Sequence, residues 1–192
     1  MFISFDEMSF ASQWSYDKGT DTLYKPHKSV QVIMLRGLAG RWKQPIFYDF
    51  DMANVQRILL KLIEQIEAAG FPVVAIVHDL APTNLRVWKE LGIDSFKTVP
   101  FKNPCADREV FVFADAPHLI KLIRNNLIDS GFVLEDGSVI TDESIREVVM
   151  KTETEYGLAY KVIETHLNVR GQQRQRVKYA SQLLSKTCAY DI

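Results

Sequence analysis

Residues 71–78, FPVVAIVH, close on Asp79 and decide how the rest of the chain is read. A run that is apolar at every position has the pattern of a strand covered on both faces, as central strands of a parallel sheet are. Just before it, Val55, Ile58, Leu59, Leu62, Ile63 and Ile66 recur at helical spacing, with Asp51 as the expected N-cap and Gly70 as the stop. A helix that delivers the chain into a buried strand is a crossover, the connection that parallel neighbours require. Beyond the run, residues 85–91 read as a short helix stopped by Gly92, and residues 109–114 (EVFVFA) as a further strand.

Upstream the pattern is different. Residues 1–8 (MFISFDEM), 30–35 (VQVIML) and 45–50 (PIFYDF) are strands, punctuated by Gly37 and Gly40, and residues 14–16 extend a strand into a turn at 18–21. Three strands in succession with short connections make an antiparallel meander. From His118 onward the reading is helical throughout, over 118–128, 142–150, 155–165 and about 171–187. Residues 102–104 and 136–138 are loops, the second a hairpin or inter-helix turn. A doubly wound nucleotide-binding fold would alternate strand and helix from the start, so the meander disfavours it. The order fits an α/β fold with a ribonuclease-H-like mixed sheet, three antiparallel strands then two parallel, followed by an α-helical segment. The expected division is residues 1–116 and 117–192, where strands give way to helices.

Composition narrows the function classes. With 47% hydrophobic and 24% charged residues the 192-residue chain can bury a sizeable core. No apolar run approaches the roughly 20 residues a bilayer span needs, and the first residues lack the basic start of a secretion signal. These readings predict a protein that is not secreted and not in a membrane. Cys105 and Cys188 stand far apart, which suits free thiols in a reducing compartment and excludes a zinc or disulfide framework. The net charge of −1 conceals an excess of about three positive charges over residues 151–192. A uniformly basic nucleic-acid binder is excluded, whereas contact with polyanions through one end is not.

Chemistry concentrates where strands end. In a sheet of this kind the first strand lies beside and parallel to the fourth, so Asp6 and Asp79 finish about 4.8 Å apart along neighbouring strands. Two adjacent carboxylates repel, and Mg²⁺ or Mn²⁺, which prefer hard oxygen ligands, would relieve that repulsion. The alternative stays open at this point: Asp79 precedes Pro82 and a helix, as a capping residue does, and Asp6 suits a surface turn. Glu7 faces away from Asp6 by strand alternation. Asp115 ends the fifth strand near the same edge and suits an N-cap, and His118 has no partner at metal spacing. Arg170, Arg174, Arg176 and Lys178 share no single face; they decorate a solvated amphipathic helix or bind phosphate. No P-loop is present.

FDEM (5–8), VQVIMLRGL (30–38), WKQPIFYDFD (42–51), GFPVVAIVHDL (70–80), LRVWKELGI (85–93) and VFVFADAPHLIKLIRNNLIDSGF (110–132) together resemble the P-element family of cut-and-paste DNA transposases. That family includes vertebrate relatives with a THAP zinc finger, and ETHLNVRGQQRQRVKYASQLLSKT (164–187) is similar to its helical segment. The resemblance implies a ribonuclease-H-like catalytic domain interrupted by a GTP-binding insertion. It puts the first two catalytic, metal-binding aspartates on Asp6 and Asp79, and guanine-nucleotide contacts on Lys161, Arg176, Val177 and Ser185. It implies Mg²⁺ or Mn²⁺ and GTP as cofactors, transposon or target DNA as partner, and a nuclear or cytoplasmic location. The family's last catalytic acid lies after the insertion, outside these residues, which predicts a weak or empty metal cluster. An inert remnant that binds DNA or protein is the alternative expectation, with self-association through exposed apolar surface.

Overall fold

A computed structural model describes residues 1–94, 100–154 and 162–190, with backbone alone at 151–154 and 190. The chain forms two compact units, Met1–Asp115 and Ala116–Ile192.

The first unit holds β1 (Phe2–Ser9), β2 (Ser15–Asp17), β3 (Thr22–Tyr24), β4 (Ser29–Arg36), β5 (Lys43–Phe50), α1 (Val55–Ala68), β6 (Ala75–His78), α2 (Pro82–Glu90), β7 (Pro100–Lys102) and β8 (Glu109–Ala114). Six strands make one sheet in the order β5-β4-β1-β6-β8-β7. β5, β4 and β1 are antiparallel neighbours, β6 and β8 continue parallel to β1, and β7 closes the edge antiparallel to β8. The expected mixed sheet is therefore present, with β7 added and with β2 and β3 set apart as a two-stranded hairpin. Asp17 holds the tip of that hairpin, accepting from Gly19 N at 2.8 Å and Thr20 Oγ1 at 2.9 Å. The β4–β5 register shifts between Ile33 and Met34, where Pro45, which has no N–H to give, sits on the edge strand.

Burial alternates along β4 and β8, so the sheet has one covered face and one open one. Ile3, Phe5, Ile33, Leu35, Ile76, Val110 and Val112 meet Leu59, Leu62, Ile63 and Ile66 of α1 and Val87 of α2 in a single core. On the other face Phe111 and Phe113 stay 44% and 50% exposed. Extended pairing covers just Ala75–His78 of the strand expected at 71–78, and there both faces are covered as expected, with Ala75, Ile76 and His78 buried and Val77 half-buried. The open part of the far face lies on its neighbour β8.

Two boundary readings change as well. Asp51 does not cap α1: its carboxylate accepts from Lys28 N (2.9 Å), Ser29 N (3.0 Å) and His27 Nδ1 (3.0 Å), tying the start of β4 to the end of β5. Asn54, at φ 57°, is the N-cap residue instead. Gly70, at φ 85°, does end α1 as expected.

The second unit contains α3 (Ala116–Asp129), β9 (Phe132–Val133), β10 (Val139–Ile140), α4 (Glu143–Thr154), 3-10 turns at Glu164–His166 and Gly171–Gln175, α5 (Val177–Leu183) and α6 (Lys186–Tyr190). The all-helical reading after His118 is corrected by the β9–β10 hairpin. Gly131, at φ 70°, allows its closure, since a Cβ there would stand 2.5 Å from the Ile140 carbonyl oxygen. The helix expected over 171–187 is broken at Arg176, whose extended backbone (φ −77°, ψ 107°) separates a 3-10 turn from α5. Most of the helix expected over 155–165 lies outside the described residues, and its end is a 3-10 turn. The core gathers Leu127, Ile145, Val148, Val149, Val162, Leu167, Leu183 and Cys188. Among the described residues no helix is long and apolar enough to cross a membrane.

Candidate active site

Strand register brings the two aspartates together. Phe5 pairs with His78 across the parallel β1–β6 ladder, and His78 pairs with Ala114 across β6–β8. One step further along each strand stand Asp6, Asp79 and Asp115, in a row on the C-terminal edge of three parallel neighbours. Neighbouring positions in such a row are about 4.8 Å apart. Asp6 lies exposed within β1, and alternation turns it away from buried Phe5 toward the open face. Asp115 N donates to His78 O at 2.7 Å, which carries the ladder up to the row.

The two carboxylates differ in how they are held. Asp6 Oδ1 accepts from the adjacent Glu7 N at 2.9 Å. Asp79 Oδ1 accepts twice, from Ala81 N at 3.1 Å and from Asn84 Nδ2 at 2.6 Å. Asp79 is not the N-cap expected of it: its side chain braces the turn into α2, while the N-cap position belongs to Ala81, followed by Pro82. Asp6 Oδ2 and Asp79 Oδ2 accept no hydrogen bond from the described residues.

Behind Asp79 lies a buried polar chain that sequence reasoning missed. His78 is 2% exposed, and its Nδ1 lies 2.6 Å from the Asp79 carbonyl oxygen. Trp88 Nε1, which can only donate, sits 2.5 Å from His78 Nε2. Nε2 must therefore accept, which puts the ring proton on Nδ1, where it is donated to Asp79 O. Burial pushes the His78 pKa below its usual 6.5, against the opposing hydrogen bond and charge of Asp79. Asn84, at 1% exposure, is the other missed residue. The signal was available: Asn84 and Val87 lie three apart on the inward stripe of α2, and a polar side chain there calls for a partner.

Two carboxylates offer hard oxygens of the kind a divalent cation takes as ligands. Among the described residues no group of three or more His, Cys, Asp or Glu side chains is placed to hold a metal ion. Asp115 and His118 do not complete such a group.

The residues expected to meet a nucleotide are spread out. Arg176 and Val177 begin α5, and Ser185 lies beyond its other end, where its Oγ accepts from Cys188 N at 3.3 Å. Arg176 donates to Tyr179 Oη at 3.2 Å and lies 5.6 Å from the centre of that ring. Lys161 lies outside the described residues. Arg174, one of the four expected surface cations, is engaged within the unit by Asp129 at 2.9 Å, and its backbone carbonyl accepts from buried Arg124 at 2.9 Å.

Residues 1–92 match the family described as TNP-like, RNase H N-terminal domain, and residues 117–192 match TNP-like, GTP-binding insertion domain. The chain is 40% identical over 192 residues to the Transposable element P transposase of Drosophila melanogaster, covering 99% of this chain and 25% of that protein. It superposes with a TM-score of 0.89 on a chain of the Drosophila P element transposase strand transfer complex, at 39% identity, covering 99% of this chain and 43% of the other. The chain thus spans a quarter of the length of the curated relative it matches.

Proposed function

Since the chain belongs to the P-element-type transposase family, carrying its RNase H N-terminal and GTP-binding insertion domains in that order, we propose that residues 1–115 form the front part of a metal-dependent centre for DNA strand cleavage and transfer. The observation that carries this reading is the adjacent register of Asp6 and Asp79 at the C-terminal edge of parallel β1 and β6. Asp6 would offer a carboxylate from the rigid centre of the sheet, and Asp79 one held from behind by Ala81 N–H and Asn84. A divalent cation bound there supplies positive charge to a phosphodiester and lowers the pKa of an attacking water or 3′-hydroxyl. The open sheet face on which Asp6 lies leaves room for a polyanion to approach.

In this proposal residues 116–192 are the beginning of the nucleotide-binding insertion. Arg176 is the side chain suited to a phosphate, and GTP is the cofactor by family membership. DNA is the partner, since the solved relative is a strand transfer complex, and a nucleus is the compartment where such a partner is met.

One observation favours a second reading, a module that binds DNA or protein without cutting. That is the lack, among the described residues, of a group of three or more His, Cys, Asp or Glu side chains placed to hold a metal ion. Nicking of supercoiled plasmid separates the two. The catalytic reading predicts Mn²⁺- or Mg²⁺-dependent nicking by this chain that falls to background in Asp6→Asn and Asp79→Asn. Absence of nicking at every metal concentration, with a Tm unmoved by the metal, assigns the chain to the binding module.

A further inference from the structure

The reason Asp79 is so firmly held lies in α2. Asn84 is 1% exposed, and its amide nitrogen donates to Asp79 Oδ1 at 2.6 Å, while its own carbonyl Oδ1 is buried without a hydrogen-bond partner. The amide orientation is fixed by its partner, since an ionised carboxylate only accepts and the nitrogen must face it. A buried carbonyl left unpaired weakens the fold, and an apolar side chain of the same size would avoid that cost. The unpaired carbonyl offsets part of what the hydrogen bond to Asp79 contributes to folding, and what Asn84 adds is the grip on Asp79.

We infer that Asn84 is a positioning residue for the metal-binding carboxylate. With Ala81 N–H it occupies Oδ1 of Asp79 and leaves Oδ2 as the ligand oxygen, in register with Asp6. This rests on the metal reading of Asp6 and Asp79 and adds how one of the two is aimed. Outer partners that orient a metal ligand typically change metal affinity by 10- to 100-fold when removed. Asn84 is carried on the first turns of α2, whose Pro82 start and packed Val87 fix the helix against the sheet, so the grip is rigid.

Mn²⁺-induced broadening of backbone amide signals, followed by NMR on the 192-residue chain, tests this without any turnover. In the parent, broadening centres on residues 6 and 79 and disappears in Asp79→Ala. Two variants probe the grip: Asn84→Leu keeps the number of side-chain heavy atoms and removes the donor, and Asn84→Asp keeps the shape and faces Asp79 with an acceptor. The inference predicts that the half-broadening Mn²⁺ concentration rises about 10-fold or more in both, while Asn84→Leu remains folded with a cooperative melt. A change under about 3-fold in either folded variant overturns it and leaves the metal site standing. If both variants fail to fold, Asn84 is structural and the inference is likewise overturned. A parent without broadening at residues 6 and 79 refutes the metal reading itself, and the positioning role falls with it.

Discussion

Asp79 is gripped through its side chain by Ala81 N–H and Asn84, and through its carbonyl by a histidine that a tryptophan locks into one tautomer. The Trp88–His78 contact is the part of this arrangement that stability measurements can isolate. Replacing Trp88 by Phe retains most of the apolar packing and strips the donor from buried Nε2. A buried acceptor left unpaired costs roughly 1–3 kcal/mol, so Trp88→Phe is expected to lower the unfolding free energy by about that amount in urea titrations at neutral pH. An unchanged midpoint would mean that the contact contributes nothing to the fold. The sign of the pH effect follows from His78 having its pKa depressed in the folded chain. The unfolded state binds the extra proton first, so this contribution is complete above pH 6.5 and declines as the pH falls below it.

Among the elements, α1 is joined to the far side of the sheet through one acid. Glu67 Oε1 accepts from Val73 N and Asn103 Nδ2, both at 2.9 Å, and Oε2 pairs with Arg108. It thus joins the end of α1, the lead into β6 and the turn between β7 and β8. Burial alone would raise its pKa, but the hydrogen bonds from Val73 and Asn103 and the Arg108 charge prevail and hold it below its ordinary 4.5. A carboxylate depressed on folding stabilises above its unfolded pKa, and that contribution fades as the pH falls from about 4.5 through the folded value. Glu67→Gln is therefore expected to lower the Tm at pH 7 by roughly 2–4 °C, as the loss of about 1 kcal/mol does in a chain of this size, and to flatten the acid limb of a Tm-against-pH curve. Parallel curves for parent and variant would contradict this. The same region shows where sequence reading stops. β7 is a three-residue strand opening on Pro100 with Phe101 as its buried anchor, too short for periodicity to register. α1 and β4 were legible because many apolar positions repeat along them. The helix expected over 171–187 failed because apolar spacing does not report a backbone break such as that at Arg176.

For the whole molecule, the ladder that sets the strand order also sets the row of Asp6, Asp79 and Asp115. A meander followed by crossovers pointed to a ribonuclease-H-like sheet, in which β6 lies beside β1, and from that pairing the neighbouring places of Asp6 and Asp79 follow. Asn84 was within reach of the sequence through its three-residue spacing to Val87, whereas the link from His78 to Trp88 was not, because it depends on how α2 packs against the sheet. Nor could spacing separate capping from metal binding at Asp79. The structure shows one oxygen of that carboxylate serving the turn, with no described residue donating to the other. The proposed function requires this edge to hold a divalent cation between Asp6 and Asp79. Crystals of the 192-residue chain soaked in Mn²⁺, with diffraction recorded at the manganese absorption edge, test it most directly. An anomalous peak is expected roughly 2.1 Å from an oxygen of both Asp6 and Asp79, absent from Asp79→Ala crystals. A saturating soak that places manganese elsewhere, or on neither aspartate, would contradict it.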